Sequence, residues 1–205
     1  STLRVMDETK AREWTFDEEL LIKQVTDQLS LALENARLFQ ESKERSNELA
    51  LINRVVSTLT VTTNLDEALR IVVREIVEGF PVARGAIALL DEDKQGFTVV
   101  ADHSKMVNYA SAVGLKIPLK GNLASQTLLT TRKPYILEDS SNNPANPLVV
   151  REEFHRIGIN YTAIFPISIN NVVVGTLGVD MQEKNAYLDQ NQISLLEAAL
   201  APIST

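Results

Sequence analysis

The chain has 205 residues, 44% of them hydrophobic and 23% charged, enough for one ordinary globular domain and an appendage. A formal net charge of −7 argues against a general nucleic-acid or anionic-membrane binder, and no apolar run approaches the ~18 residues that a membrane span needs. Cysteine is absent, which excludes disulfides, thiolate metal sites, cysteine nucleophiles and thioether-linked chromophores. With no signal-peptide pattern at the first residues, the expected location is cytoplasmic.

Thr2–Asp7 reads as a short strand with nothing local to pair with. From Asp17 to Leu59 there is neither Pro nor Gly, and helix-compatible residues dominate. Val25, Leu29, Ala32, Ala36 and Phe39 form one apolar seam, and Leu49, Ile52, Val56 and Leu59 form a second. The two seams do not share a register: across Gln40–Glu48 the core positions turn polar, as in a long helix that changes partners midway. A solvated helix surface, or a loop between two helices, is the plainer reading of that stretch. Thr63-Asn64 before Leu65-Asp66-Glu67 predicts a capped helix start, with Leu65, Leu69, Val72, Val73 and Ile76 as its apolar face.

The period then falls to two. Gly85–Asp91 and Phe97–Ser104 read as a hairpin, and Gly114–Leu119 as a further short strand. A helix over Asn122–Thr131, an extended Pro134–Asp139, a loop over Ser140–Pro147 and a helix over Leu148–Ile157 follow. Tyr161–Ile169 and Val172–Asp180, joined by Asn170-Asn171, read as a second hairpin, and a last helix begins near Asp189. Gly175 and Gly178 allow a bulge or the close approach of a helix, and Pro166 suits an edge or irregular strand position. The order predicts an α+β fold: a mostly antiparallel central sheet of about six strands flanked by helices, with a long N-terminal linker helix and the terminal helices sharing one face of the sheet.

Residues 2–28 also echo residues 176–202. At a constant offset, Thr2, Leu3, Val5, Lys10 and Leu21 meet Thr176, Leu177, Val179, Lys184 and Leu195. The expected division is therefore 1–15 as the tail of an upstream domain, 16–60 as a linker helix with coiled-coil character, and 61–205 as one complete domain.

Leu65-Asp66-Glu67-Ala68-Leu69 leading into Gly85-Ala86-Ile87-Ala88-Leu89-Leu90-Asp91 resembles the opening of the GAF domain family. Ile117-Pro118-Leu119 with Gly121, and Arg132-Lys133-Pro134-Tyr135-Ile136-Leu137-Glu138-Asp139, resemble its middle signature. Ala163-Ile164-Phe165-Pro166-Ile167 and Val174-Gly175-Thr176-Leu177-Gly178-Val179 resemble its last two strands. Glu13-Trp14-Thr15 through Phe39 resembles the last helix of a preceding domain of the same kind, as in tandem arrays of sensor proteins. The resemblance implies a small sensory module in a signal-transduction protein. Its methionine-sulfoxide reductases and covalent bilin carriers need cysteines, so those activities do not transfer. Cyclic-nucleotide binders of the family carry an Asn-Lys pair where this chain has Asp180-Met181, which argues against that ligand.

His103 and His155 are the two histidines; each reads as structural sooner than catalytic, although a pocket histidine binds haem iron in some members of the family. Asp139, Arg151, Glu152 and Glu153 flank the proline-bearing loop where the family's pockets open. Asp139 could accept a ligand hydrogen bond or hold the Ser140–Asn143 turn. Arg151 could grip an anion or pair with acids one turn away. Phe154 and Tyr161 could line an apolar pocket, with core packing the alternative for Phe154. His103, Asp139, Arg151, Phe154, His155 and Tyr161 are thus the candidate ligand-binding residues. No catalytic constellation, phosphate loop or metal motif stands out. The expected function is non-catalytic sensing of a small molecule, relayed through terminal helices. The expected partners are a second copy, through helices 17–59 and 189–205, and adjacent signalling domains, with no nucleic acid and no membrane contact. A ligand-free dimerisation or spacer module is the alternative.

Overall fold

The computed structural model of the chain describes residues 2, 4–6, 13–61 and 64–203, and within them the side chains other than those of residues 44, 48, 51, 56, 58–61 and 202. The chain divides into two units, 1–48 and 49–205. The predicted strand over Thr2–Asp7 lies partly outside the described residues; residues 2 and 4–6 are not in a strand.

One helix, α1 (Phe16–Val61), covers the whole breaker-free stretch. In the first unit its seam residues Val25, Leu29 and Phe39 are exposed, as are Ala32 and Ala36. In the second unit, among the described side chains of α1, Val55 is the one fully buried, one position before the predicted seam residue Val56, whose side chain lies outside the described ones with that of Leu59.

The second unit carries α2 (Leu65–Gly79), β1 (Arg84–Leu90), β2 (Gly96–Ser104), β3 (Lys116–Pro118), α3 (Leu123–Thr131), β4 (Tyr135–Glu138), α4 (Leu148–Ile157), β5 (Tyr161–Ile169), β6 (Val172–Met181) and α5 (Gln190–Leu200). The strands form a six-stranded sheet in the order β3-β2-β1-β6-β5-β4, antiparallel at every pairing. Local chemistry sets the boundaries. The Asn64 side chain accepts from the Asp66 and Glu67 amides at the start of α2, and Asp189 with Gln192 forms a capping box on α5. Asn170 and Asn171 both take positive φ, 48° and 64°, as a two-residue hairpin turn between right-twisted strands requires. Pro166 faces β6 opposite Thr176, while β4 pairs with β5 only as far as Ile164, so its missing donor falls where β5 has an open edge.

The sheet has two unlike faces. Leu69, Val72, Val73, Ile76 and Val77 of α2, Leu196 and Leu200 of α5, and Val55 pack on Ile87, Ala163, Phe165, Leu177 and Val179 in one core. The opposite face is covered by α3, α4 and the loops around them. Gly85 is the close-approach glycine: a Cβ there would lie 2.8 Å from Val77 Cγ2 and 3.2 Å from Val73 Cγ2, on helix α2. Of the two glycines expected to fill that role, Gly175 sits against the Ala88 carbonyl and beside the bulge where β5 steps from Ile167 to Ser168. Gly178 has no neighbour nearer than 3.9 Å to an added Cβ. Gly85→Ala should therefore cost about 1–3 kcal/mol, because both valines are branched and stiff, whereas Gly178→Ala should stay within about 0.5 kcal/mol of wild type. Urea denaturation checks both, and equal costs would contradict this packing.

Candidate functional site

Alternation along β1 and β6 builds the site. Ile87, Leu177 and Val179 point to the helical core, and the opposite face of the same strands carries Ala86, Ala88, Thr176 and Gly178. Small side chains beneath α3 and α4 leave a cavity of about 80 Å³. Phe97, Val99, Leu115, Ile117, Val150, Phe154 and Ile164 make its apolar wall; Arg84, Asn122, Ser125, Asn146, Glu153, Thr162, Thr176 and Asp180 make its polar one.

A buried ion pair anchors the polar wall. Arg84 and Asp180 face each other across the β1–β6 ladder; Arg84 Nη1 donates to Asp180 Oδ2 at 2.7 Å, and the two side chains are 5% and 3% exposed. The Thr162 hydroxyl donates to Asp180 Oδ1 at 2.9 Å. Arg84 Nε donates to the Tyr109 hydroxyl at 2.7 Å, and that hydroxyl donates to Asp102 Oδ2 at 2.8 Å. Asp102 also accepts from Ser111 Oγ and the Ala112 amide, tying the 105–114 loop to the same chain of bonds.

Burial pushes the Asp180 carboxyl above its usual range, further than Arg84 and Thr162 draw it back. For Arg84, burial works against the charge, but Asp180, Tyr109 and Asp102 together outweigh it and leave the guanidinium above its ordinary value. The Tyr109 hydroxyl is also raised, chiefly by burial.

The six sequence-predicted residues do not meet. Phe154 lines the cavity and is also buried in a cluster with Val150 and Ile159. Arg151 and His155 share an open depression on α4 with Ser141, Asn142 and Leu148. Arg151 forms no ion pair among the described residues; the i,i+3 pair on α4 is Arg156 with Glu153. Asp139 and Tyr161 border a polar basin with Asn160, Glu183 and Lys184. Asp139 Oδ1 accepts from Asn142 Nδ2, so the side chain holds its own turn. Tyr161 is buried with its hydroxyl accepting from the Leu188 amide. His103 lies on the opposite face of the sheet from the cavity, its Nε2 3.0 Å from Glu78 Oε1 of α2.

The His103 placement has a definite cause. Strict alternation from Phe97 and Val99 would carry His103 onto the cavity face, but β2 bulges where Ile87 pairs with Ala101 and Ala88 with Val99. The extra residue reverses the facing beyond it. Asp102 thereby joins the Tyr109–Arg84 chain, and His103 turns to α2. Neither histidine lines the cavity, and about 80 Å³ is well below the ~300–1,000 Å³ of ordinary ligand pockets. A tetrapyrrole does not fit the residues as they stand.

Arg84, Thr162, Thr176, Asn122, Ser125 and Asn146 escaped sequence reasoning, and Asp180 registered only as a departure from a motif. A signal was present: Arg84-x-Ala86-x-Ala88 and Thr176-x-Gly178-x-Asp180 put small and polar residues on one face of strands whose other face is bulky.

Residues 62–205 match the family model described as GAF domain. No curated protein matches the chain. The GAF domain of an Acinetobacter phosphoenolpyruvate-protein phosphotransferase is 20% identical, with a TM-score of 0.60 over 77% of this chain and 90% of that one. The corresponding domain from Coxiella burnetii is 18% identical, with a TM-score of 0.63 over 77% and 93%. The phycocyanobilin-bound GAF domain of a cyanobacterial phytochrome is 14% identical, with a TM-score of 0.64 over 76% and 91%. At these identities the likeness is one of fold.

A buried ion pair should be costly to break and cheap to replace. Arg84→Met and Asp180→Leu should each cost about 3–5 kcal/mol alone, while the double variant should lie close to wild type. A double variant as unstable as the sum of the single ones, read by urea denaturation, would contradict the pairing.

Proposed function

The chain belongs to the GAF domain family, and on that premise we propose that it is a non-catalytic regulatory module that binds a small molecule in the cavity between the sheet and α3/α4. The observation that carries this reading is the composition of the wall: a mainly apolar surface with a set of fixed polar groups, the make-up of a ligand site. The polar groups bind and orient; the reading assigns them no bond-making step.

The same strands give the relay its route. Gly178 and Asp180 face the cavity, while Leu177 and Val179, which alternate with them, pack with Leu196 and Leu200 of α5 and with Val55 of α1. A ligand that displaces β6 presses on the packing of both terminal helices. It regulates only if it favours one helix packing over another, since equal affinity for both shifts nothing. The exposed seam Val25, Leu29 and Phe39 fits a homodimer formed through α1, which would carry the change onward. The small free volume favours the second reading, a ligand-free dimerisation or spacer module.

Native mass spectrometry with a thermal-shift screen of nucleotides and small metabolites separates the two. The sensor reading expects a dimer that retains a small molecule. At a hundredfold excess over Kd, that ligand should add about 2.7 kcal/mol, roughly 5–10 °C for a chain of this size. Gly178→Ala, which adds a methyl to the cavity wall, should fold normally and bind roughly 10–200-fold more weakly. A dimer with no retained species and no shift across the screen would leave the spacer reading standing; a monomer would contradict both.

A further inference from the structure

The polar wall also specifies a ligand class, an inference that rests on the cavity being a binding site. Arg84, Asn122, Ser125, Asn146 and Thr176 are 4%, 2%, 5%, 4% and 8% exposed, and all five line the cavity. Each keeps a polar atom outside every hydrogen bond among the described residues. Arg84 commits Nε to Tyr109 and Nη1 to Asp180, which leaves Nη2. Asn122 Oδ1 caps the Ser125 amide, which fixes the orientation of the side-chain amide and leaves Nδ2. Asn146 Nδ2 donates to the Ser140 carbonyl, which leaves Oδ1. The Ser125 and Thr176 hydroxyls have no side-chain partner. Among the described residues the one buried polar side-chain atom sealed off without a partner is Arg151 Nε. None of the five atoms is sealed off, and all five residues line the cavity.

This inventory is rich in donors and carries one cation. Arg84 Nη2, Asn122 Nδ2 and the two hydroxyls can all donate, against the single obligate acceptor Asn146 Oδ1. Of the lining acids, Asp180 is held by Arg84 and Thr162, and Glu153 lies in a two-bond pair with Arg156 at 2.9 and 2.7 Å. Asp180 matches the charge of Arg84, and Nη2 is the guanidinium donor left over. A carboxylate accepts through both oxygens and suits a wall of several donors, Arg84 Nη2 among them. Phe97, Val99, Ile117 and Phe154 on the other wall offer nothing to a second charge, which would be buried unpaired. A cavity of about 80 Å³ limits the ligand to a compact body.

We infer that the cavity binds a compact monocarboxylate, its carboxylate on Arg84 Nη2 and its short apolar body against Phe97, Val99 and Ile117. Asn122, Ser125 and Thr176 are the further donors of the same wall.

The test is isothermal titration of the full chain at pH 7 with acetate through octanoate and benzoate, each beside its primary amide. Acids of intermediate length should bind, and the matching amides at least about tenfold more weakly. Asn122→Asp keeps the oxygen that caps α3 and exchanges the free amide for a negative charge, so it should weaken acids at least about tenfold and leave amides unchanged. Arg84→Lys keeps a cation opposite Asp180 but removes the Nη2 donor, with a similar expected loss of acid affinity. If that variant does not fold, Asn122→Asp decides. Amides binding as well as acids, or acid affinity unmoved in the variants, would overturn the assignment. Silent acids beside hits of another class in the metabolite screen overturn the carboxylate and leave the cavity a ligand site. Silence of every class overturns both.

Discussion

The buried pair of Arg84 and Asp180 is the constraint around which the cavity face is organised. Two charges removed from water must meet each other or be very costly, and here they meet across adjacent central strands. That requirement pins the register of β1 against β6: a one-residue slip would send Arg84 and Asp180 to opposite faces and bury each unpaired. The bonds extend from the pair in both directions, through Thr162 into β5 and through Tyr109 and Asp102 into the 105–114 loop. Such a pair seldom adds stability beyond what a well-packed apolar replacement would give. Its position on the wall of a cavity leaves one guanidinium nitrogen, Nη2, outside the bonds that hold the pair.

Contrast between the two sheet faces follows from the alternation of side chains along the strands. On the helical face, bulky residues of β1, β5 and β6 close against α2 and α5, and Gly85 brings α2 close to the sheet. On the other face Ala86, Ala88, Thr176 and Gly178 are too small to fill the space beneath α3 and α4. The cavity is thus a consequence of side-chain size on two strands, and the bulge in β2 puts Asp102, in place of His103, on the Tyr109–Arg84 chain of bonds. One displacement of β6 would be felt on both faces, since no residue of the strand separates the cavity from the helical core except by its facing.

Much of this architecture could be read from the sequence because local chemistry determined it. The unbroken stretch before Leu59, the Asn64 cap, the Asn170-Asn171 turn and the Asp189 cap each mark an element end that the structure places within a residue or two. The candidate site was legible only at Phe154. Sequence reasoning favoured residues whose chemistry is conspicuous, such as His103, His155 and Arg151, and these lie on the opposite face of the sheet or in the open depression on α4. Arg84 and Asp180 sit at strand ends, and their meaning depends on a pairing between residues far apart in the chain. Regular alternation would put His103 on the cavity face, a single inserted residue turns it away, and nothing local distinguishes a bulge at Val100 from regular alternation. Asn122 and Asn146 look like ordinary turn residues until the Ala124 amide bonds to the Ala145 carbonyl and draws their loops together beneath the sheet.

The account stands or falls on whether the free side of Arg84 faces open space that polar atoms can enter. A crystal structure of the chain, at a resolution that shows ordered solvent and grown without added ligand, tests this directly. The account predicts Arg84 Nη1 on Asp180, and a water or ligand atom within hydrogen-bonding distance of Nη2, inside a cavity bounded by Ala86, Gly178 and Phe154. Nη2 bonded to the protein, with apolar side chains closing over the space beside it, would contradict it.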